Sequence, residues 1–190
     1  MLGSYLIKKN IEEFRKFSYL KTVPDIDPKE LGYYLEYDRW FRKLRLKDRL
    51  SVFDIGCDQY LSLFHYLLLH GYRYIHYIGN DIGLSANLIY YNGDIINFKE
   101  NVLLDSFIYG SLHNKFIKID CEGCEYEYLP LIYKSLSPDI SYSIALHFSH
   151  EHYEDFQYWY EILLDNGFKL AYRTGNNDFM EYLFIRRRKE

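Results

Sequence analysis

The sequence predicts an α/β protein: a mostly parallel, twisted sheet with helices on both faces and an antiparallel hairpin at the C-terminal end. Two observations carry this expectation. From residue 51 onward, short apolar runs alternate with stretches whose apolar residues recur at helical spacing, the pattern of strand–helix–strand units. The last two apolar runs are instead joined by the short polar segment Thr174-Gly175-Asn176-Asn177-Asp178, which reads as a hairpin loop. Composition permits such a fold. Of 190 residues, 48% are hydrophobic, enough for one core of ordinary size and too many for general disorder.

Residues 1–50 read as an N-terminal helical extension and residues 51–190 as the α/β domain. In the extension, Ile7, Ile11 and Phe14 sit at helical spacing, and Thr22-Val23-Pro24-Asp25 interrupts them. A second helix follows. Asp27 can cap it, Pro28 suits its first position, and Glu30 stands three residues after the cap. Tyr34, Tyr37, Phe41 and Leu44 give its apolar face. In the domain, Ser51 to Gly56 is the first strand. Gln59 to His70 is a helix with Leu61, Phe64, Leu67 and Leu68 inward and Gly71 just past its end. Tyr74 to Ile82 is the second strand. One strand is expected between Asn92 and Leu104, where the pattern is hard to read. Phe116 to Asp120 is a strand, followed by a helix from about Cys124 that Pro130 is expected to break or restart. Ile140 to Phe148 is the next strand. Phe156, Trp159, Tyr160, Leu163 and Leu164 then form one helix face, closed by Asn166-Gly167. Phe168 to Arg173 and Met180 to Arg186 are the final strands.

Charge and cysteine usage narrow the function classes. The formal net charge is −4, which argues against a nucleic-acid partner; the basic run Arg186 to Lys189 reads as a solvated terminus. The most apolar stretch, Leu61 to Leu69, is interrupted by His65 and is far shorter than the roughly 20 residues a spanning helix requires. The first ten residues lack the order of a signal peptide, so a cytoplasmic location and no membrane partner are expected. Cys57, Cys121 and Cys124 are few and odd in number, which suggests a reducing compartment rather than a disulfide scaffold.

Polar residues gather where parallel sheets bind ligands, beyond the carboxyl ends of the strands. The first strand ends in Asp54-Ile55-Gly56-Cys57-Asp58 and the second in Gly79-Asn80-Asp81. The strand at 116 ends in Asp120-Cys121-Glu122-Gly123. The strand at 140 ends in His147, with His150, Glu151 and His152 just after it. A single carboxylate in such a place often caps the next helix. Four strand ends together favour a binding site. Gly56 lets the backbone approach a ligand, and the helix after it presents N–H groups. The loop lacks the G-x-G-x-x-G spacing of a pyrophosphate binder. Asp81 stands where an acid accepts hydrogen bonds from ribose hydroxyls. Together these features suit a nucleoside without a pyrophosphate, such as S-adenosylmethionine.

The segment Phe116-Ile-Lys-Ile-Asp-Cys-Glu-Gly-Cys-Glu-Tyr-Glu-Tyr-Leu129 resembles the signature of the FkbM-type methyltransferases, a strand of the form [IL]-K-I-D-x-E-G-x-E followed by an apolar helix. Lys118, Ile119, Asp120, Glu122, Gly123, Glu125 and Leu129 match it. Cys121 and Cys124 fall at its variable positions, so they are not read as a metal site. Val102-Leu-Leu-Asp105, Val52-Phe-Asp-Ile-Gly56 and His147 resemble further family segments. Tyr60 stands where the family has a second loop glycine, and Ala145 where it often has an acid. The likeness spans roughly residues 51 to 170.

This resemblance implies a Rossmann-like methyltransferase fold, S-adenosylmethionine as cofactor, and methyl transfer to a hydroxyl of a sugar or other small metabolite. On that reading Asp54, Gly56, Cys57 and Asp58 line the methionine side and Asp81 holds the ribose. Asp120 and Glu122 face the methyl group and acceptor. His147 is the general base, with Glu122 second in line. Asp120, Glu122 and His147 could also ligate a divalent ion, but acidic clusters that cap helices are commoner, and no metal is assigned. Extensions such as residues 1–50 cover an acceptor pocket or make homodimer contacts in related methyltransferases. The competing reading is a non-catalytic protein that keeps the fold, with its loop altered at Tyr60 and a tyrosine-rich surface for a binding partner.

Overall fold

The computed structural model describes residues 28–44, 50–57, 62–70, 72, 75–81, 87–91, 94–98, 114–121, 123–149, 153–175 and 179–188. In chain order the elements are α1 (Pro28–Leu44), β1 (Leu50–Ile55), α2 (Ser62–Leu69), β2 (Ile75–Asn80), β3 (Asn87–Tyr91), β4 (Asp94–Phe98), β5 (Asn114–Ile119), α3 (Glu125–Lys134), β6 (Ser141–Ser149), α4 (Tyr153–Asp165), β7 (Lys169–Gly175) and β8 (Phe179–Arg186). The strands form one eight-stranded sheet in the order β4-β3-β2-β1-β5-β6-β8-β7. Its centre, β2-β1-β5-β6, is parallel. The expected antiparallel hairpin β7–β8 closes one edge.

Strand alternation divides the core in two. Val52, Phe116, Ala145 and Leu183 face α1 and α2. Their neighbours Phe53, Ile117, Ile144 and Phe184 face α3 and α4. All six residues of β1 are buried, as a strand covered on both faces requires. Helix α1 packs Tyr37, Trp40, Phe41 and Leu44 into the same core as β1 and β5. Each such burial is worth about 1.5–3 kcal/mol, so this helix of the extension is integral to the core. Arg42 and Lys43 in its last turn complement the negative end of the helix dipole.

Two expectations need correction. Pro130 does not break α3, which runs through it to Lys134. The lost ladder bond and ring clash cost about 3 kcal/mol, but Leu129 and Ile132 are both buried on that helix and return a similar amount. Leu164 does not share the inward face of α4: Phe156 and Leu163 are buried, while Leu164 is 39% exposed. At about 100° per residue it lies at the margin of the stripe set by Phe156, Tyr160 and Leu163. The strand expected between Asn92 and Leu104 is β4, and β3 just before it pairs with it antiparallel. The expected features at residues 1–27 and at Val102 to Asp105 lie outside the described residues. Among the described residues, no helix is long and apolar enough to cross a membrane.

Candidate active site at the carboxyl ends of the strands

The sheet order reverses at β1: the chain moves outward from β1 to β2 and later returns to β5 on the other side. In open α/β sheets, ligands bind in the crevice at such a point. Asn80 and Ile119 both pair with Ile55, so Asp81 and Asp120, the next residues, leave the sheet at the same level.

Asp54 and Lys118 are register partners on β1 and β5. Their side chains meet with Lys118 Nζ 3.1 Å from Asp54 Oδ1. The same ammonium donates to the Gly56 carbonyl at 3.0 Å and lies 3.3 Å from Asp120 Oδ2. Tyr77 donates its hydroxyl to Asp54 Oδ2 at 2.6 Å. Asp54 is 1% exposed, so its carboxylate is stabilised by these partners from within the fold. Burial alone would lower the Lys118 pKa, but the Asp54 and then the Asp120 carboxylates outweigh it and hold the ammonium well above its ordinary range. Burial, followed by the Asp54 charge, holds the Tyr77 phenol protonated far into alkaline pH.

Gly56 has φ of 72°, and a Cβ there would lie 1.8 Å from the Asp120 carbonyl oxygen. The close approach that this glycine permits is therefore to the loop after β5. The N–H groups of Gly56 and Cys57 donate to the Asn80 carbonyl at 2.8 and 3.3 Å, and the Asp120 N–H donates to Ile55 at 3.0 Å. Cys57 is itself buried. Three strand ends are thus tied into one rigid rim.

The loop after β5 is held from below by Glu125. Its carboxylate accepts the Cys121 N–H at 3.2 Å and the Gly123 N–H at 2.8 Å. Cys121 and Cys124 are joined as a disulfide, with Cα atoms 5.5 Å apart. A single bond within one turn does not make a disulfide scaffold. A tight turn brings residues three apart into disulfide range, whatever the total number of cysteines.

At the rim, the side chains of Asp120 and His147 are each about a quarter exposed, with His147 Nδ1 3.9 Å from Asp120 Oδ1. Glu181, opposite His147 across the β6–β8 ladder, comes closer, with Oε1 3.3 Å from the same nitrogen. Burial pushes the Glu181 carboxyl up to about 7. Its Oε2 is buried without a hydrogen-bond partner among the described residues, and so is Asn80 Oδ1. The Asn80 amide donates to Tyr128 at 3.4 Å.

Of the site residues expected from sequence, the fold brings Asp120 and His147 together and puts Asp81 at the same sheet end. Asp54, Gly56 and Cys57 lie in the layer beneath. Asp58 and Glu122 lie outside the described residues, as do Tyr60, His150, Glu151 and His152. Sequence reasoning passed over Lys118 as a site residue, and Tyr77 and Glu181 altogether. Lys118 and Glu181 did carry a signal: each is a charge flanked on both sides by hydrophobic residues within a strand. A cavity of about 260 Å³ lies at the opposite end of the sheet, lined by residues including Asn114, Ser141, Ser143 and Arg187 and by none of the rim groups.

No family profile matches the sequence, and no curated protein matches it. Solved structures do resemble the backbone. One is a release-factor-specific protein-(glutamine-N5) methyltransferase from Alicyclobacillus acidocaldarius, with TM-score 0.47, 10% identity, and coverage of 85% of this chain and 98% of that one. Another is a precorrin-6y C5,15-methyltransferase from Geobacter metallireducens, with TM-score 0.45, 13% identity, and coverage of 88% and 91%. A third is TrmK from M. capricolum in complex with S-adenosylhomocysteine, with TM-score 0.46, 15% identity, and coverage of 77% and 66%.

Proposed function

We propose that this chain is an S-adenosylmethionine-dependent methyltransferase acting on a hydroxyl of a sugar or other small metabolite. One observation carries the reading: Asp81 and Asp120 follow the ends of β2 and β5, and His147 stands near the carboxyl end of β6, all at one end of the sheet, around the point where strand order reverses. The donor set fits an adenosyl ligand. Asp81 is half-buried at the end of β2, and the neighbouring Asn80 Oδ1 is a buried acceptor without a partner among the described residues. Hydroxyl and amino groups of a nucleoside are the donors such acceptors suit.

When bound, the cofactor supplies a sulfonium methyl as electrophile. Asp81 accepts the ribose hydroxyls. Asp120, anchored by Lys118 below and held against Gly56, orients the acceptor beside His147. His147 takes the hydroxyl proton, a contribution of about 10²–10⁴-fold for a positioned base. Alignment by a rigid rim supplies the larger share, on the order of 7–11 kcal/mol for well-placed reactants.

Calorimetric titration with S-adenosylhomocysteine tests the reading. Binding is expected, and Asp81→Ala is expected to weaken it about ten- to a hundredfold, the worth of a charged hydrogen-bond acceptor. No heat at saturating ligand would contradict the enzyme reading and favour a non-catalytic binding module.

A further inference from the structure

We propose that Glu181 is a positioning residue for His147: it fixes the imidazole so that Nδ1 carries the proton and Nε2 the lone pair that receives the acceptor's proton. This rests on the methyl-transfer reading and adds to it a residue from the C-terminal hairpin. The geometry is specific. His147 and Glu181 are direct partners in the antiparallel β6–β8 register, so their side chains share a face of the sheet. Of the two carboxylates near Nδ1 among the described residues, Glu181 at 3.3 Å is within hydrogen-bond range, while Asp120 at 3.9 Å is not. A carboxylate can only accept from a ring N–H, so its position selects the Nδ1–H tautomer of the neutral ring.

The surroundings explain how this arrangement handles charge. When His147 takes the hydroxyl proton on Nε2, the Nδ1–H remains and the ring becomes an imidazolium. Glu181 on β8 and Asp120 on β5 then face a cation. Lys118 on β5 is already paired with Asp54 on β1 as well as with Asp120. Tyr37 on α1 adds a neutral phenol near that pair, kept protonated by burial. The proton leaves Nε2 for solvent after the product departs, which returns the ring to its starting tautomer.

Long-range proton–nitrogen correlation spectra of histidine-labelled full-length protein in mildly alkaline buffer test this, with His147→Gln assigning the resonance. In the wild type, the Nδ1–H pattern is expected for His147. Glu181→Met, which removes the acceptor, is expected to lose that pattern in favour of Nε2–H, while Glu181→Gln, whose amide oxygen can still accept, retains it. A wild-type ring in the Nε2–H form, or a Glu181→Met spectrum unchanged from wild type, would overturn the proposal. The wild-type spectrum alone decides if Glu181→Met does not fold. S-adenosylhomocysteine titration of the same samples keeps the two readings apart: Glu181→Met is expected to bind as the wild type does. Loss of binding in every sample would strike the cofactor reading while leaving the tautomer result standing.

Discussion

Gly56 and Asp120 are in such close contact that a Cβ on the glycine would sit 1.8 Å from the aspartate's carbonyl oxygen. Two strand ends from distant parts of the chain therefore fix one another, and the rim carboxylate at position 120 inherits its place from a glycine at position 56. Gly56→Ala is expected to lower stability by on the order of 2 kcal/mol from the left-handed backbone alone, with the backbone collision adding to it. The midpoint of urea unfolding measures this. An unchanged midpoint would show that the loops are not in contact as described.

The buried pair of Asp54 and Lys118 should behave as a unit. At 3.1 Å, an effective dielectric constant of about 20 gives an attraction of about 5 kcal/mol. Removing the cation alone strands a carboxylate, so Lys118→Met is expected to cost about 3–5 kcal/mol. Asp54→Asn combined with Lys118→Met removes both charges and keeps an acceptor for Tyr77, and is expected to recover more than half of that loss. Additive losses in denaturant melts would contradict the pairing.

Glu181 should write a pH dependence into stability. Its folded-state value is raised by burial from 4.5 to about 7, so the folded protein holds a proton that the unfolded chain releases between those values. The associated stability is present in full below the unfolded value and is lost as pH rises through about 7. The span corresponds to at most about 3 kcal/mol. Glu181→Gln is expected to flatten this slope and to be more stable than wild type above pH ~7.5. Parallel pH–stability curves for the two proteins would refute it.

These groups show why the sequence revealed the fold more fully than the site. The strand at 116 and the helix at 156 were legible because burial on a sheet face or helix stripe leaves a local apolar period. The rim was legible as far as strand ends could be located, which is why Asp120 and His147 were found. Glu181 and Tyr77 were not, since their meaning depends on a partner across the ladder or on a neighbouring strand, which no local pattern encodes. Pro130 and Leu164 misled for a related reason: a local rule was overridden by packing in one case, and a helix face was drawn too wide in the other.

The cysteines give a simple chemical check. With Cys121 and Cys124 joined, Cys57 is the one cysteine of the three that is outside a disulfide. Protein prepared without reductant and unfolded in denaturant is expected to yield one titratable thiol, rising to three after reduction. Three thiols before reduction would mean that the pair is open.

The central claim is that the crevice at the carboxyl ends of β1, β2 and β5 holds an adenosyl donor. A crystal structure of the chain with S-adenosylhomocysteine tests it most directly. The account predicts the ribose hydroxyls on the Asp81 carboxylate and the sulfur turned toward Asp120 and His147. Ligand seated instead in the cavity beside Asn114 and Arg187, or an empty crevice at saturating ligand, would contradict it.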